Sequence, residues 1–312
     1  MIISKLKSAW DITKETLRKF QKSKPIVYSA AIAFFTIFSL PPMLIIIIQV
    51  AGRFLGEQAV RSEITSQIQT LINQKNADQI NEILQNSDGS ESGTLATIIG
   101  VAGLLFSATI VFNFIQKALN SIWCVKPKPK RSIVKFIVDR LLSFTMVVAL
   151  GLLLLVFLII DAILIIFRDY INEKLFGYTG HLMQVLNFLI PLLVVTFIFA
   201  MIFKILPDAK IKWKDVRVGA FVTALLFTLG KYIIGLILGN TNIASTYGAA
   251  GSLAAILLWV FYSTIIMLLG AEFTKVNTER RGRRIRPKKH AVLVEVKEVS
   301  YEDQGNNNQN IK

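Results

Sequence analysis

The side chains of this sequence that are capable of chemistry stand out because they interrupt apolar runs. Lys231 sits inside FTLGKYIIGLILGN (227–240). An ammonium in hydrocarbon costs about 3 kcal/mol or more unless it snorkels, pairs or meets water. There it can bind an anion or titrate in an aqueous cleft; its stem can equally carry the charge out to the headgroups. Asp161, the carboxylate of another apolar run, stands near that run's outer boundary, with Asn187 and Gln49 at similar heights. If the helices adjoin, Asp161 and Lys231 form a pair; otherwise Asp161 faces water. Glu272 in LLGAEF (268–273) falls at the opposite interface, where a solvated or arginine-paired carboxylate is expected.

A second kind of chemistry resides in the backbone. FSLPPMLIIII (38–48) places Pro41 and Pro42 inside an apolar run. A proline removes the hydrogen bond to the carbonyl four residues earlier and clashes with it, so the carbonyls of Ile37 and Phe38 lose their helical donors. Broken backbone at membrane depth turns to other helices, to hydroxyls such as those of Thr36 and Ser39, or to a water-lined cavity. Two readings are open: a packing kink, or a discontinuous helix of the kind transporters place at binding sites.

Other chemistries are disfavoured by the residues present. One cysteine, Cys124, rules out an internal disulfide framework or a thiolate metal cage. Two histidines, His181 and His290, leave little for a metal site. The acidic residues are scattered through loops and tail, whereas phosphodiester hydrolysis needs clustered carboxylates or histidines. The chain is expected to be a non-enzyme that works without metal or cofactor.

The elements that position these residues are membrane helices. Of 312 residues, 53% are hydrophobic and 18% charged, an integral-membrane composition. Crossing ~30 Å of hydrocarbon takes about 20 apolar residues, and six stretches qualify: 26–51, 94–115, 141–167, 183–203, 218–239 and 250–271. LGLLLLVFLII (150–160) does not alternate as a barrel strand would, so the fold is expected to be an all-α, six-helix membrane bundle. The basic N-terminus preceding an apolar run resembles a signal peptide, but the run is too long and no small-x-small site closes it, so it is read as the first span.

Charge then orients the bundle. Lys and Arg number 7 in residues 1–25, 7 in 116–140, 5 in 204–217 and 10 after residue 271, against 3, 2 and 0 in the alternate loops 52–93, 168–182 and 240–249. Positive loops stay in the cytoplasm, so both termini are expected there. The net charge of +15 points to anionic lipid headgroups as partners, with no specific nucleic acid.

Residues 1–25 place Ile3, Leu6, Trp10, Leu17 and Phe20 on one helical face, with Lys5, Lys7, Lys14, Arg18 and Lys19 around the rest. This predicts an amphipathic helix lying in the interface; the alternative is a soluble helix packed on the loops. The outer loop 52–93 sets Val60, Ile64, Ile68 and Leu71 on one face and predicts one or two short helices. Gly230, Gly235 and Gly239, and Gly251 with Ala255, offer small-residue faces for close packing. The tail, 272–312, carries RRGRRIRPKK (280–289), in which Arg280, Arg281, Arg283, Arg284 and Arg286 form a cluster suited to anionic lipid, or else serve only as a topology signal. Its Asn/Gln-rich end is expected to be disordered.

SAAIAFFTIFSLPPMLIIII (29–48), KALNSIWCV (117–125) and YGAAGSLAAILLWVFYSTIIMLLGAEF (247–273) resemble the YihY/BrkB family of bacterial inner-membrane proteins. The resemblance runs from the basic N-terminal helix to Glu272, with Phe35 and the proline pair as mild departures from the family's pattern. It implies a six-span layout like that of transporters or exporters, a link with virulence and serum resistance in some members, and an old ribonuclease label that the residues here do not support. The expected function is transport or export of a small ion or solute, with a cavity bounded by Ser39, Pro41 and Pro42 of the first span, Lys231 of the fifth, Asp161 and Asn187. The alternative is a lipid-handling or envelope-scaffold protein.

Overall fold

The computed structural model describes residues 2–72, 94–128, 179–240 and 250–294. Within them lie seven helices: α1 (Ile2–Lys22), α2 (Pro25–Leu55), α3 (Glu57–Ile72), α4 (Thr94–Ile122), α5 (Thr179–Ile205), α6 (Trp213–Asn240) and α7 (Ala250–Arg280). Five of the six expected spans fall on α2, α4, α5, α6 and α7; the third, 141–167, lies outside the described residues. Three of the described helices are long and apolar enough to cross a membrane, over Phe188–Ile205, Trp213–Leu236 and Leu253–Arg280. The fold is mostly helical, as the apolar runs predict.

α2 starts sharply because Lys24 adopts a left-handed conformation (φ 51°) and Pro25 supplies the first-turn φ. It is one helix from Pro25 to Leu55, so the backbone stays helical through Pro41 and Pro42 instead of breaking. Nor do the nearby hydroxyls serve the carbonyls that the prolines leave. Thr36 Oγ1 donates to the Ile32 carbonyl at 2.7 Å and Ser39 Oγ to the Thr36 carbonyl at 2.8 Å. Gly56, at φ 88°, then turns the chain into α3, where Val60 is buried.

α2 packs along α4 and α7, α6 lies between α5 and α7, and α1 rests on the C-terminal end of α7. The α6–α7 crossing is set by a reciprocal pair of small residues. A side chain on Gly219 would overlap Thr274, and one on Gly270 would overlap Thr223. Each threonine hydroxyl is turned back onto its own helix, Thr223 onto the Gly219 carbonyl and Thr274 onto the Gly270 carbonyl, both at 2.7 Å. Gly-x-x-x-Thr on each helix thus seats the other's methyl and hydroxyl, a small-residue approach that apolar solvent alone does not drive. Gly230 also packs closely, against the hydroxyl end of Tyr262, but Gly235 has open space around it. The close face expected at Gly235 therefore lies further toward the start of α6.

The core concentrates at the end of the bundle where α1 meets the C-terminal end of α7. Trp123, Phe203, Leu119, Ile122, Val216 and Leu268 are almost wholly enclosed there. A chain of aromatic contacts leads away from it, from Trp123 to Phe203 and Phe199, then Phe227 and Trp259. Further along α6, Leu229, Tyr232, Ile233 and Leu236 are exposed apolar surface.

The segment after α7 is described as far as residue 294. Gly282 (φ 68°) closes α7 with Gly282 N donating to the Glu279 carbonyl at 2.9 Å and Arg283 N to the Thr278 carbonyl at 3.1 Å, a left-handed glycine cap. The chain then forms two short strands, β3 (Arg286–Pro287) and β4 (Ala291–Leu293). β3 pairs antiparallel with β2 (Ala209–Lys210) and β4 with β1 (Val125–Pro127), in the register Val125 opposite Leu293. The tail thus ties the loop between α5 and α6 to the turn after α4. Residues 295–312, including the end expected to be disordered, lie outside the described residues.

Candidate functional site

The expected cavity residues are only partly visible. Lys231 is half-buried on α6, beside the Gly230 that Tyr262 covers, and no ion pair or hydrogen bond to its ammonium forms among the described residues. Ser39 is buried and bonded within α2. Asp161 lies outside the described residues, as do the side chains of Asn187, Gln49, Pro41 and Pro42, so the pairing of Asp161 with Lys231 lies outside them too.

A different polar assembly is fully built, at the basic end. Three carboxylates are buried there: Asp208 (3% exposed), Asp215 (1%) and Glu272 (0%). A buried charge needs partners, because desolvation costs several kcal/mol per ion even after relaxation. Each of the three finds them in α7 or the segment following it.

Asp208 sits where ILPDAK (205–210) leaves α5. Asn120 on α4 brackets it, donating from Nδ2 to Asp208 Oδ2 at 2.9 Å and accepting from Asp208 N at 2.8 Å. His290 Nε2 lies 2.7 Å from Asp208 Oδ1, and Gln116 Nε2 approaches the same oxygen at 3.4 Å. Lys288 N donates to the Asp208 carbonyl at 2.8 Å, and Lys288 Nζ to the Ile205 carbonyl at 3.1 Å. Burial pulls the Lys288 ammonium below the usual lysine range, and the Asp208 charge opposes that shift. One carboxylate therefore gathers α4, the α5–α6 loop and the tail.

Asp215, in the first turn of α6, accepts from Arg283 Nη1 at 2.7 Å. Glu272 accepts from Ser23 Oγ at 3.1 Å, and Lys275 Nζ stands 3.9 Å from its other oxygen. Lys275 also reaches Cys124 Sγ at 3.4 Å. Glu272 is therefore neither solvated nor arginine-paired: α1 and α2 meet over it at Ser23, and this placement excludes water.

The arginines assigned to lipid divide. Arg280 donates to Glu15 Oε2 on α1 at 2.8 Å and Arg283 is the partner of Asp215; Arg281, Arg284 and Arg286 are exposed. Around Arg280, Lys19 bridges Glu15 at 2.9 Å and Glu279 at 2.8 Å. The hydrogen bonds from Lys19 and Arg280 hold the Glu15 carboxyl below its usual range. Burial pulls Lys19 down, and its bonds to Glu279 and Glu15 outweigh this to hold it above its usual range. With α1 held this way, Trp10 (69% exposed) and Leu17 (50%) point off the protein.

Sequence reasoning passed over Asp208, Asp215, Asn120 and His290. The available signals were a carboxylate straight after a proline in a basic loop, and an asparagine inside KALNSIWCV. Neither identifies its partner: Asn120 and Asp208 are 88 positions apart, and Asp208 and His290 82.

A model of the Virulence factor BrkB family matches residues 16–294, a range that takes in all three carboxylates and the described part of the tail. A UPF0761 membrane protein of Haemophilus influenzae (strain 86-028NP) is 26% identical over 266 residues, covering 84% of this chain and 93% of its own. One from Acinetobacter baylyi is 24% identical over 294 residues, covering 92% and 67%. A Psychrobacter relative is 26% identical over 256 residues, and the chain spans 45% of its length. No solved structure matches. The match over most of the chain and the apolar helices agree: the chain belongs to the BrkB family of membrane proteins.

Proposed function

We propose that the chain is a six-span protein of the bacterial cytoplasmic membrane, with both termini in the cytoplasm, that transports or exports a small ion or solute. The observation that carries this reading is the set of three buried carboxylates at one end of the bundle, each met by a cation or donor from α7 or the tail. Buried ion pairs contribute little net stability compared with apolar packing. Their concentration where helices must part for inward opening suits a closure that can be undone. In this reading the basic end is the cytoplasmic gate. The path above it is lined by Lys231, Ser39, the Pro41–Pro42 turn, Asp161 and Asn187; a helical α2 still leaves the Ile37 and Phe38 carbonyls without their usual donors. The chain is not an enzyme, has no specific nucleic-acid partner, and neighbours anionic lipid.

The test is the decay of an imposed pH gradient across liposomes holding the purified protein, with Na⁺, K⁺ or organic anions added in turn. Ion-dependent decay that Lys231→Met abolishes is the expected outcome. Absence of decay under every condition shifts the reading to the alternative.

That alternative, a lipid-handling or scaffold protein, is favoured by one observation. α1 turns Trp10 and Leu17 away from the bundle with exposed Lys14 and Arg18 beside them, the arrangement of an interfacial helix. It requires that neutralising Arg281, Arg284 and Arg286 abolish function while Lys231→Met leaves it intact.

A further inference from the structure

Of the three buried carboxylates, Glu272 is the least compensated. Asp208 has Asn120, Gln116 and His290 on its oxygens, and Asp215 has the Arg283 guanidinium at 2.7 Å. One oxygen of Asp215 and one of Glu272 lack a donor among the described residues, but Glu272 is wholly enclosed and has no cation within hydrogen-bond reach. Its nearest cation, Lys275, stands at 3.9 Å with its ammonium also turned to Cys124. An ionised carboxylate in that position leaves lone pairs unsatisfied in a medium without water, the most costly form of an unmade hydrogen bond.

We propose that Glu272 is the site at which this protein binds and releases a proton. Ser23 gives the two states equal footing. Its Oγ lies 3.1 Å from Glu272 Oε2 and 3.4 Å from the Lys19 carbonyl, but a hydroxyl has one proton to donate and can accept at the same time. When Glu272 is ionised, Ser23 donates to Oε2. When a hydronium ion at the partly exposed Ser23 gives a proton to Oγ and the serine passes its own proton on to Oε2, an O–H bond forms at Oε2 and water is left. The carboxyl then donates to Ser23 Oγ, and the serine hydroxyl turns to the Lys19 carbonyl. Oε1 becomes a neutral carbonyl oxygen, which tolerates the lack of a donor far better. Release reverses each step.

The charged and titratable groups around the site come from every element that meets there. Lys19 faces it from α1, Cys124 adjoins Lys275 from the turn after α4, and Lys275 and Glu279 belong to α7. Loading removes the negative charge of Glu272 and so frees Lys275 from its weak pair. The site joins the α1–α2 turn to the end of α7, so loading alters a junction of elements.

This inference deepens the transport reading by naming the proton as an ion handled at the proposed gate, and its test reads the proton directly. Infrared difference spectra of the full chain in vesicles are taken as pH is stepped, following the C=O stretch of protonated carboxyl groups. One component of that band is expected to be lost in Glu272→Gln, with the amide bands showing the fold retained. In Ser23→Ala the same component is expected to persist with its titration displaced, a change that a packing role for the serine does not produce. A band unchanged in a folded Glu272→Gln overturns the proposal, as does a Ser23→Ala spectrum that titrates like the wild type. If the component is found and no gradient decay is ever seen in liposomes, the proton site stands and the transport reading fails.

Discussion

The two ends of this bundle solve opposite problems with the same helices. At the basic end, α5, α6 and α7 are enclosed around Trp123 and Phe203 and bound together by carboxylates that accept from groups far along the chain. Further along α6, the same helix presents Leu229, Tyr232, Ile233 and Leu236 outward, as lipid-facing apolar residues do. The difference shows where the chain places specificity. Apolar contact with lipid tails is equivalent for any helix arrangement, so the order of the helices must come from small-residue crossings and from polar contacts of fixed partner. Both are concentrated at the basic end.

The contrast is most easily broken at Asp208. Asp208→Ala leaves Asn120 Nδ2, His290 Nε2 and Gln116 Nε2 without their shared acceptor. Removing one member of such a buried network is expected to cost about 3–5 kcal/mol. Thermal unfolding of the purified protein should register this as a large drop. Leu236→Ala, on the exposed stretch of α6, should shift the same transition hardly at all, because it opens no enclosed space. Equal effects at the two positions would remove the distinction between the ends.

A medium-sized effect tests the distinction within one helix. Gly219→Ala pushes a methyl group into Thr274 on α7, and Gly270→Ala one into Thr223 on α6. Forcing added volume into such a crossing costs about 1–3 kcal/mol. Gly235→Ala, four turns along the same helix, meets nothing within 4 Å. It should be neutral or slightly stabilising, since alanine is the better helix former by up to about 1 kcal/mol. The measurement is again the unfolding transition, with the three variants compared in one detergent.

The same division explains what the sequence could and could not reveal. Apolar length marks a helix that faces lipid, so the stretches 183–203, 218–239 and 250–271 are legible one at a time and correspond to α5, α6 and α7. Pairing is not legible in that way. Asp208 and His290 are 82 positions apart, and Ser23 and Glu272 are 249 apart; no local period connects them. The tail misled for a related reason. RRGRR reads as charge, but Gly282 in a left-handed conformation is what reverses the chain and lays Arg286–Leu293 across the bundle. The proline pair left two readings open: proline chemistry predicts the lost donors, and α2, packed against α4 and α7, is one helix through both prolines.

The smallest expected effect belongs to the seam between the basic end and the interface. α1 is fastened to α7 by Glu15, Lys19, Glu279 and Arg280, a network open to solvent, where each pair contributes a fraction of about 1 kcal/mol. Its pH dependence has a definite sign. The Glu15 carboxyl is held below its usual range by Lys19 and Arg280, so its contribution is present above the unfolded-state value and is lost as pH falls through the folded one. Lys19 is held above its usual range, so its contribution is full at neutral pH and disappears only as pH rises past the lysine range. Glu15→Gln should therefore lower stability slightly at neutral pH and in dilute salt. The two proteins should converge in acid, below the ordinary carboxylate range, and also in molar salt, where the Debye length shrinks to about 3 Å. If the difference persists in acid, α1 is fastened by packing around Thr16 and Phe20 instead of by charge. In that case α1 belongs with the enclosed end of the molecule, and Trp10 and Leu17 are the surface of a fixed element instead of a helix held at the interface by adjustable pairs.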